Sequence, residues 1–347
     1  MPFKTTVATL ALAAGTMIAG LTAAAAQEVT LRVHHFLSAE APIQKGVLEP
    51  WKQMVEEKSG GRIAVQIFPA MQLGGKPPQL FDQARDGIVD VSWTLLGYTP
   101  GRFPISEVFE LPFVAGSATA TTEALQQFQA KYLTEELAQV HPLLIHAPSA
   151  YKIHTRDKLV ETLADLSGMK IRAPSRTMTD GLNALGAVAV GMPVPEVPQA
   201  MTTGVIGGAV IPWEVFGSLR LESLAKYHTE IGVEDGGLST SVMALVMNQA
   251  KYDSLPDDLR AVIDETTGAT LAAIAGPAFD AAETAQRDAA IAAGGTVAVI
   301  PEAELGEWHA ASQPVIDAWV KSMDDKGLDG KAILEDARAM ITAAGQG

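Results

Sequence analysis

The amino-acid sequence predicts an α/β protein of two lobes that one long, kinked helix connects. Three observations support this class. Strand and helix patterns alternate near the N-terminus in the order typical of a parallel sheet. A helix–glycine–strand unit recurs near the middle of the chain. A helical pattern over residues 257–293 is longer than one lobe of this size needs.

The first 26 residues are predicted to be a signal peptide that is removed after about Ala26. Lys4 supplies the positive charge, residues 7–24 are apolar, and small residues precede Gln27 as at a cleavage site. A membrane anchor is the alternative, but the small residues and the cleavage pattern favour removal. No other stretch is apolar for long enough to span a bilayer. We therefore expect a protein exported to the periplasm, without direct membrane insertion.

The composition excludes several classes of protein. The 347 residues include no cysteine, which excludes disulfides, a thiol nucleophile, thiolate metal ligands and lipid attachment through cysteine. The formal net charge of −15 makes binding to nucleic acid or to an anionic membrane unfavourable. Any anionic ligand must therefore be held by local cations.

The elements of the first lobe follow from local patterns. The predicted order is strand 29–36, helix 41–58, strand 63–68, helix 78–86 and strand 88–94. Pro69 closes the second strand, and Gly87 ends the second helix. This β-α-β-α-β order is typical of a parallel sheet.

Residues 199–213 repeat the pattern of residues 83–93. In both, a helix ends at glycine, an apolar strand follows, and a tryptophan closes the strand. Two interpretations remain open. Any helix–glycine–strand junction has these features, or the chain contains two lobes of similar build, each with a tryptophan at its ligand-facing edge.

The last third of the chain is predicted to be mostly helical. Residues 257–293 would form a helix about 50 Å long, kinked at Gly276-Pro277 where it passes between the lobes. A strand over 296–300 and helices over 302–324 and 328–343 follow. We assign residues 27–149 and 237–276 to the first lobe, and residues 150–236 and 277–347 to the second.

Residues 163–174 predict where an anion binds. Ile171 and Ala173 alternate with Arg172, whose side chain therefore points away from the apolar face of a short strand. Pro174 ends this strand. Ligands of open α/β sheets bind beyond the carboxyl ends of strands, and an arginine there offers a charged fork for a carboxylate.

Three segments together resemble the solute-binding proteins of tripartite ATP-independent periplasmic (TRAP) transporters, the DctP family. They are residues 68–75 (FPAMQLGG), 163–174 and 199–212, and the resemblance extends over nearly all of the chain after residue 26. It implies a periplasmic-binding-protein-like fold with a ligand cleft between two α/β lobes. It also implies that Arg172 binds the ligand carboxylate and that membrane subunits of a TRAP transporter are partners.

The same resemblance directs attention to other positions. Some relatives have a second arginine upstream, where this chain has Lys152, which supplies a point charge but no fork. A solvated lysine is the alternative. Relatives often have an asparagine where this chain has Ile211, so a polar contact is lost and a polyhydroxy ligand is disfavoured.

Aromatic residues near strand ends complete the set of candidates. Trp213 and Trp93 are expected to line the cleft, although aromatic residues are more often part of a core. The remaining candidate ligand contacts are Phe36, Tyr98, Tyr151 and Gln72.

No sequence motif of metal, cofactor or enzyme chemistry occurs. His34 and His35 are adjacent on a strand and point to opposite faces, and there is no H-E-x-x-H, G-x-G-x-x-G, Walker A or G-x-S-x-G pattern. We therefore expect no metal and no cofactor.

The sequence favours a periplasmic binding protein that captures a small organic monocarboxylate for a TRAP-type transporter. Arg172 would hold the carboxylate, and an aromatic or branched ligand is favoured. Two alternatives remain. One is a binding protein for a sugar acid or keto acid, in which Lys152, Tyr151 and Gln72 contact ligand oxygens. The other is a periplasmic enzyme acting on a carboxylate, for which no base or nucleophile stands out.

Overall fold

The computed structural model describes Met1, residues 27–232, residue 234 and residues 236–346. Apart from Met1, the predicted signal peptide lies outside the described residues. None of the helices found in the described part combines the length and the apolar character that crossing a membrane requires.

Eleven strands are present in the described residues. They are β1 (Val29–His35), β2 (Ile63–Phe68), β3 (Val91–Leu95), β4 (His141–His146), β5 (Lys152–Thr155), β6 (Lys170–Ala173), β7 (Val188–Gly191), β8 (Gly208–Ile211), β9 (Tyr227–Glu230), β10 (Met243–Met247) and β11 (Thr296–Val299). They form two sheets, one in each lobe, in the orders β2-β1-β3-β10-β4 and β11-β9-β5-β8-β6-β7. The α/β class with two lobes is therefore confirmed.

The described α-helices lie between and after these strands. They are α1 (Glu49–Lys58), α2 (Leu80–Arg85), α3 (Ala118–Phe128), α4 (Leu163–Leu166), α5 (Arg176–Ala184), α6 (Val197–Thr202), α7 (Gln249–Asp253), α8 (Asp257–Thr266), α9 (Ala269–Ala292), α10 (Glu302–Asp324) and α11 (Gly330–Ala344). The π-helical segment Ile43–Leu48 leads into α1.

The first sheet is only partly parallel. β1 runs parallel to β2 and β3, as the β-α-β-α-β pattern predicts. β10 enters the sheet between β3 and β4 and runs antiparallel to both. The chain therefore returns from the second lobe to complete the first.

The two helix–glycine–strand units occupy equivalent places. α2 leads through Gly87 to β3, and α6 leads through Gly204 to β8. Both glycines have a φ of 73°, a left-handed conformation that favours glycine. The likeness between the units is therefore one of build, and each belongs to its own sheet.

The predicted helix over residues 257–293 is two helices. Thr267 is extended, and Gly268 has φ 56° and ψ −126°, so the backbone leaves the helical region between α8 and α9. The amide of Gly268 donates instead to the carbonyl oxygen of Leu143 in β4 at 2.8 Å. The prediction of a single kinked helix over residues 257–293 was wrong in its extent, because this bond to a distant strand has no local signal.

α9 is the long helix that joins the lobes, at about 36 Å. Asp280 accepts hydrogen bonds from the amides of Ala118 (2.8 Å) and Thr119 (3.0 Å) in the first lobe. Arg287, two turns later, donates to Glu230 in the second lobe at 2.8 Å. Pro277 therefore lies in the half of α9 that packs on the first lobe.

The C-terminal helices also connect the lobes. Trp308, near the start of α10, is buried in the core of the second lobe. Trp319, beyond Pro314 in the same helix, joins the core of the first lobe and donates to the carbonyl oxygen of Pro104 at 2.9 Å. α11 packs on α3, so residues 277–347, which we assigned to the second lobe, also contact the first.

Candidate ligand-binding site

A cavity lies between the two lobes, against α9. The space not filled by atoms, with the opening of the cavity included, measures about 430 Å³. The lining residues are Phe36, Leu37, Trp93, Leu95, Tyr98, Pro148, Tyr151, Arg172, Val194, Ile211, Pro212, Glu214, Val215, Ser241, Met243 and Phe279. Of the nine predicted ligand contacts, six are in this lining: Phe36, Trp93, Tyr98, Tyr151, Arg172 and Ile211.

Arg172 is the cation of the cavity wall. It lies in β6 between Ile171 and Ala173, which both face the core of the second lobe, so its own side chain turns the other way. Only 2% of Arg172 is exposed. Its Nε donates to the carbonyl oxygen of Met192 at 2.9 Å, and Nη1 donates to that of Val210 at 3.1 Å.

The third guanidinium nitrogen of Arg172 has no partner. Nη2 is buried and makes no hydrogen bond to any described residue. A buried charge without a counter-ion is unfavourable, and it becomes favourable when an anion enters. Arg172 is therefore a fixed donor with one site left for an anion such as a carboxylate.

Neutral hydroxyls surround the guanidinium. The Tyr98 hydroxyl accepts a hydrogen bond from the amide of Val194 at 2.9 Å, a contact that joins the two lobes. The Tyr151 hydroxyl is hydrogen-bonded to that of Ser241. Burial raises the pKa of Tyr98 and of Tyr151, and the charge of Arg172 offsets this only in part. Both phenols therefore stay protonated and keep a proton to donate.

Aromatic rings form the apolar wall in the first lobe. Phe36 stacks on Trp93 with ring centroids 4.8 Å apart and planes 20° apart, and it meets Tyr98 edge-on at 5.5 Å. Trp93 Nε1 donates to His146 Nε2 at 2.9 Å. Burial lowers the pKa of His146 to about 3, so the neutral imidazole accepts this bond and fixes the indole ring.

Glu214 contributes a buried carboxyl to the part of the cavity wall that the second lobe forms. It follows β8 and is 2% exposed. Burial raises the pKa of Glu214 well above its usual range, and the neighbouring Glu283 carboxylate on α9 raises it further. The amide of Glu214 donates to Glu283 at 3.1 Å, and Glu283 also forms an ion pair with Lys152.

Three predicted contacts are not in the cavity lining: Lys152, Gln72 and Trp213. Lys152 is buried in β5, where it bonds to Glu283 and to the carbonyl oxygen of Ala150 at 2.7 Å, so it neither reaches the cavity nor lies in solvent. Gln72 is an exposed residue of the turn after β2. The cavity lining thus differs from the expectation for both.

Trp213 belongs to the core of the second lobe. Pro212 ends β8, and the turn Trp213–Val215 directs the indole back onto the sheet. There Trp213 packs edge-on against His154, and its Nε1 donates to Glu230 at 2.7 Å. Its neighbours in the sequence, Pro212, Glu214 and Val215, line the cavity instead.

Several lining residues carry only weak signals in the sequence. Glu214 is the one acidic residue in the apolar segment 208–216, which could have marked it. Ser241 lies in the hydroxyl-rich segment 239–241, whose pattern does not indicate a ligand contact. Phe279 is one residue of a regular helical pattern.

Within the described residues no group of three or more histidine and acidic side chains is arranged to hold a metal ion.

Comparisons with known proteins give consistent results. The family model DctP, described as "Bacterial extracellular solute-binding protein, family 7", matches residues 33–322. A marine metagenome TRAP solute-binding protein crystallised with 3-hydroxybenzoate is 44% identical, with a TM-score of 0.89 over 92% of this chain and 99% of that chain.

Two further solved structures are similar. A TRAP solute-binding protein from Rhodoferax ferrireducens, with copurified benzoate, is 40% identical, with a TM-score of 0.89 over 91% of this chain and 98% of that chain. One from Bordetella bronchiseptica, with bound mandelate, is 28% identical, with a TM-score of 0.84 over 90% and 99% of the two chains. Because the family model matches most of the sequence and the two-lobed fold agrees with it, the chain belongs to the DctP family, family 7 of the bacterial extracellular solute-binding proteins.

Proposed function

We propose that the protein captures an aromatic monocarboxylate between its lobes and presents it to the membrane subunits of a TRAP transporter. The observation that carries this proposal is the unpartnered Nη2 of Arg172 in a cavity whose other walls are largely apolar and aromatic. One buried cation matches one carboxylate.

The carboxylate would lie against Arg172. Two hydrogen bonds to backbone carbonyls already hold the guanidinium in one plane, so little conformational entropy is lost when the anion arrives. The hydroxyls of Tyr98 and Tyr151 stand beside the guanidinium and keep their protons. They offer further donors to the second carboxylate oxygen.

The aromatic ring would lie along the apolar wall. Phe36 and Trp93 present ring faces and edges, with which another ring packs favourably. Ile211, on the side of the second lobe, presents an apolar side chain that offers no hydrogen bond to the hydroxyl groups of a sugar acid. The similar proteins with 3-hydroxybenzoate and benzoate support the same ligand class.

Such a ligand would hold the lobes together. Phe36 and Trp93 belong to the first lobe, and Arg172 and Ile211 belong to the second, so a ligand that contacts all four favours the closed arrangement. Closure removes water, and the lower local dielectric strengthens the ion pair at Arg172. The closed form is the form that membrane subunits would recognise.

The proposed place of action is the periplasm, after cleavage at about Ala26. DctP-family proteins bind solutes for transport, which disfavours the enzyme alternative. A sugar acid or keto acid remains the competing ligand class. Lys152 and Gln72, which were to contact its oxygens, do not line the cavity.

A thermal-shift and calorimetric screen of residues 27–347 tests the proposal. Benzoate at 100 times its dissociation constant should add about 2.7 kcal/mol to the free energy of unfolding. Glucuronate and the dicarboxylate isophthalate serve as comparison ligands. Stabilisation by glucuronate or isophthalate, with no response to any aromatic monocarboxylate, would overturn the proposal.

A further inference from the structure

We propose that Glu214 is a second ligand contact, which selects aromatic monocarboxylates that carry a hydroxyl or another hydrogen-bond donor on the ring. This inference rests on the proposed function and narrows it to a subclass of ligand. Two observations carry it: Glu214 lines the cavity, and its Oε2 is buried without a hydrogen-bond partner among the described residues.

The cavity has two distinct polar parts. The guanidinium of Arg172 faces Tyr98 and Tyr151. Glu214 instead faces Glu283 and Lys152, at the boundary between the second lobe and α9. A ligand whose carboxylate lies on Arg172 would therefore direct a different part of its body toward Glu214.

The neighbours of Glu214 determine its protonation state. The ammonium of Lys152 pairs with Glu283, so it does not balance a second carboxylate at Glu214. Glu214 therefore takes up a proton, which it donates to Glu283 in a hydrogen bond between the two carboxyl groups. The carboxyl of Glu214 is neutral in this arrangement.

The remaining oxygen of Glu214 is then an acceptor. A carboxyl that donates its proton to Glu283 keeps one oxygen that can only accept, and in this proposal that oxygen is Oε2, which has no hydrogen-bond partner among the described residues. A buried acceptor without a donor is unfavourable. A ring hydroxyl would satisfy it, whereas a fluorine would not, and a second carboxylate would place two acceptors and a negative charge against it.

Calorimetric titration with matched ligands tests the inference. The ligands are benzoate, the three hydroxybenzoates and the corresponding fluorobenzoates. In the native protein, at least one hydroxybenzoate should bind about tenfold more tightly than benzoate, and the fluorobenzoate with the same ring position should bind like benzoate.

Three variants assign this preference to Glu214. Glu214→Gln keeps a donor toward Glu283 and an acceptor toward the ligand, so the hydroxyl preference should remain. Glu214→Leu should abolish the preference, so that this variant binds benzoate and the hydroxybenzoate with affinities that agree within about threefold. Glu110→Gln is the control, because Glu110 is a buried glutamate that also has an unpartnered oxygen but lies outside the cavity lining.

Infrared difference spectroscopy keeps the test decisive where Glu214→Leu does not fold. The carbonyl stretching band of protonated Glu214, identified by its loss in Glu214→Gln, should shift when the preferred hydroxybenzoate binds and stay in place with benzoate. An unshifted band would overturn the inference.

The binding data separate the two proposals. If no hydroxybenzoate binds more tightly than benzoate, or if the preference survives Glu214→Leu, the role of Glu214 is overturned and the proposed function stands. If no aromatic monocarboxylate binds at all, the proposed function fails, and the role of Glu214 fails with it.

Discussion

The Nε atom of Arg172 donates a 2.9 Å hydrogen bond to the carbonyl oxygen of Met192, just beyond the neighbouring strand β7. This bond makes the backbone of the second lobe, and not an acidic side chain, the support of the buried cation. The charge itself stays uncompensated and is available to a ligand.

Arg172→Lys should weaken benzoate binding about 30-fold or more, because lysine keeps the charge but has no planar group to bond to two carbonyls and a carboxylate together. Isothermal titration calorimetry gives the dissociation constant, and circular dichroism checks the fold. Arg176→Lys, at an exposed arginine of α5, is the matched control and should bind like the native protein. Near-native affinity of Arg172→Lys would place the carboxylate elsewhere.

Trp93 and Trp213 should respond differently to substitution by phenylalanine. Trp93→Phe removes part of the cavity wall and the bond to His146, so we expect it to weaken ligand binding about fivefold. Trp213→Phe removes the bond to Glu230 in the core and should lower the free energy of unfolding by about 1–3 kcal/mol with an unchanged dissociation constant. Calorimetry and urea denaturation measure the two quantities. Equal effects on binding would contradict the placement of Trp213.

Asp280→Asn should destabilise the junction between α9 and the first lobe. The carboxylate accepts bonds from the amides of Ala118 and Thr119 at the start of α3, where a negative charge is also favoured by the helix dipole. We expect a loss of about 1–2 kcal/mol in the free energy of unfolding, measured by urea denaturation. Asp288→Asn, at an exposed position of the same helix, should change it by less than about 0.5 kcal/mol. Equal effects would show that the α3 contact contributes nothing.

Glu110 should make stability depend on pH. Burial raises the pKa of Glu110 to about 8, while a hydrogen bond from Ser175 lowers it and the charge of Glu107 raises it further. Since the folded-state pKa lies above the ordinary value of 4.5, the contribution of Glu110 to stability is complete below pH 4.5 and is lost as the pH rises toward 8.

Glu110→Gln keeps the shape of the side chain and removes its titration. The variant should match the native protein near pH 4.5 and exceed it by on the order of 2 kcal/mol above pH 8. Urea denaturation at several pH values measures this difference. A difference that does not vary with pH would contradict the assigned role of Glu110.

Local patterns in the sequence were sufficient for the elements that depend on local interactions. The alternation around Arg172 placed its side chain opposite the core, because period-two geometry decides the face of a strand. Phe36 follows β1, and Trp93 pairs with His35 at the end of β1, so both lie near the carboxyl edge of the parallel pair, where the cavity is.

Long-range contacts explain what the sequence did not reveal. The antiparallel entry of β10 depends on a pairing with β3 and β4 that no local pattern encodes. Gly268 breaks the predicted helix because its amide bonds to Leu143. Trp213 resembles Trp93 in its local sequence, but it begins a helical turn after the extended Pro212, and the indole enters the core instead.

α10 places Trp308 in one lobe and Trp319 in the other, with Pro314 between them. Any change in the angle between the lobes must therefore deform this helix as well as α9. Proline has no amide hydrogen, so the helix already lacks one backbone bond at that point and has none to break there when it bends. The C-terminal segment thus gives the chain a second bendable connection between the lobes, beside α9.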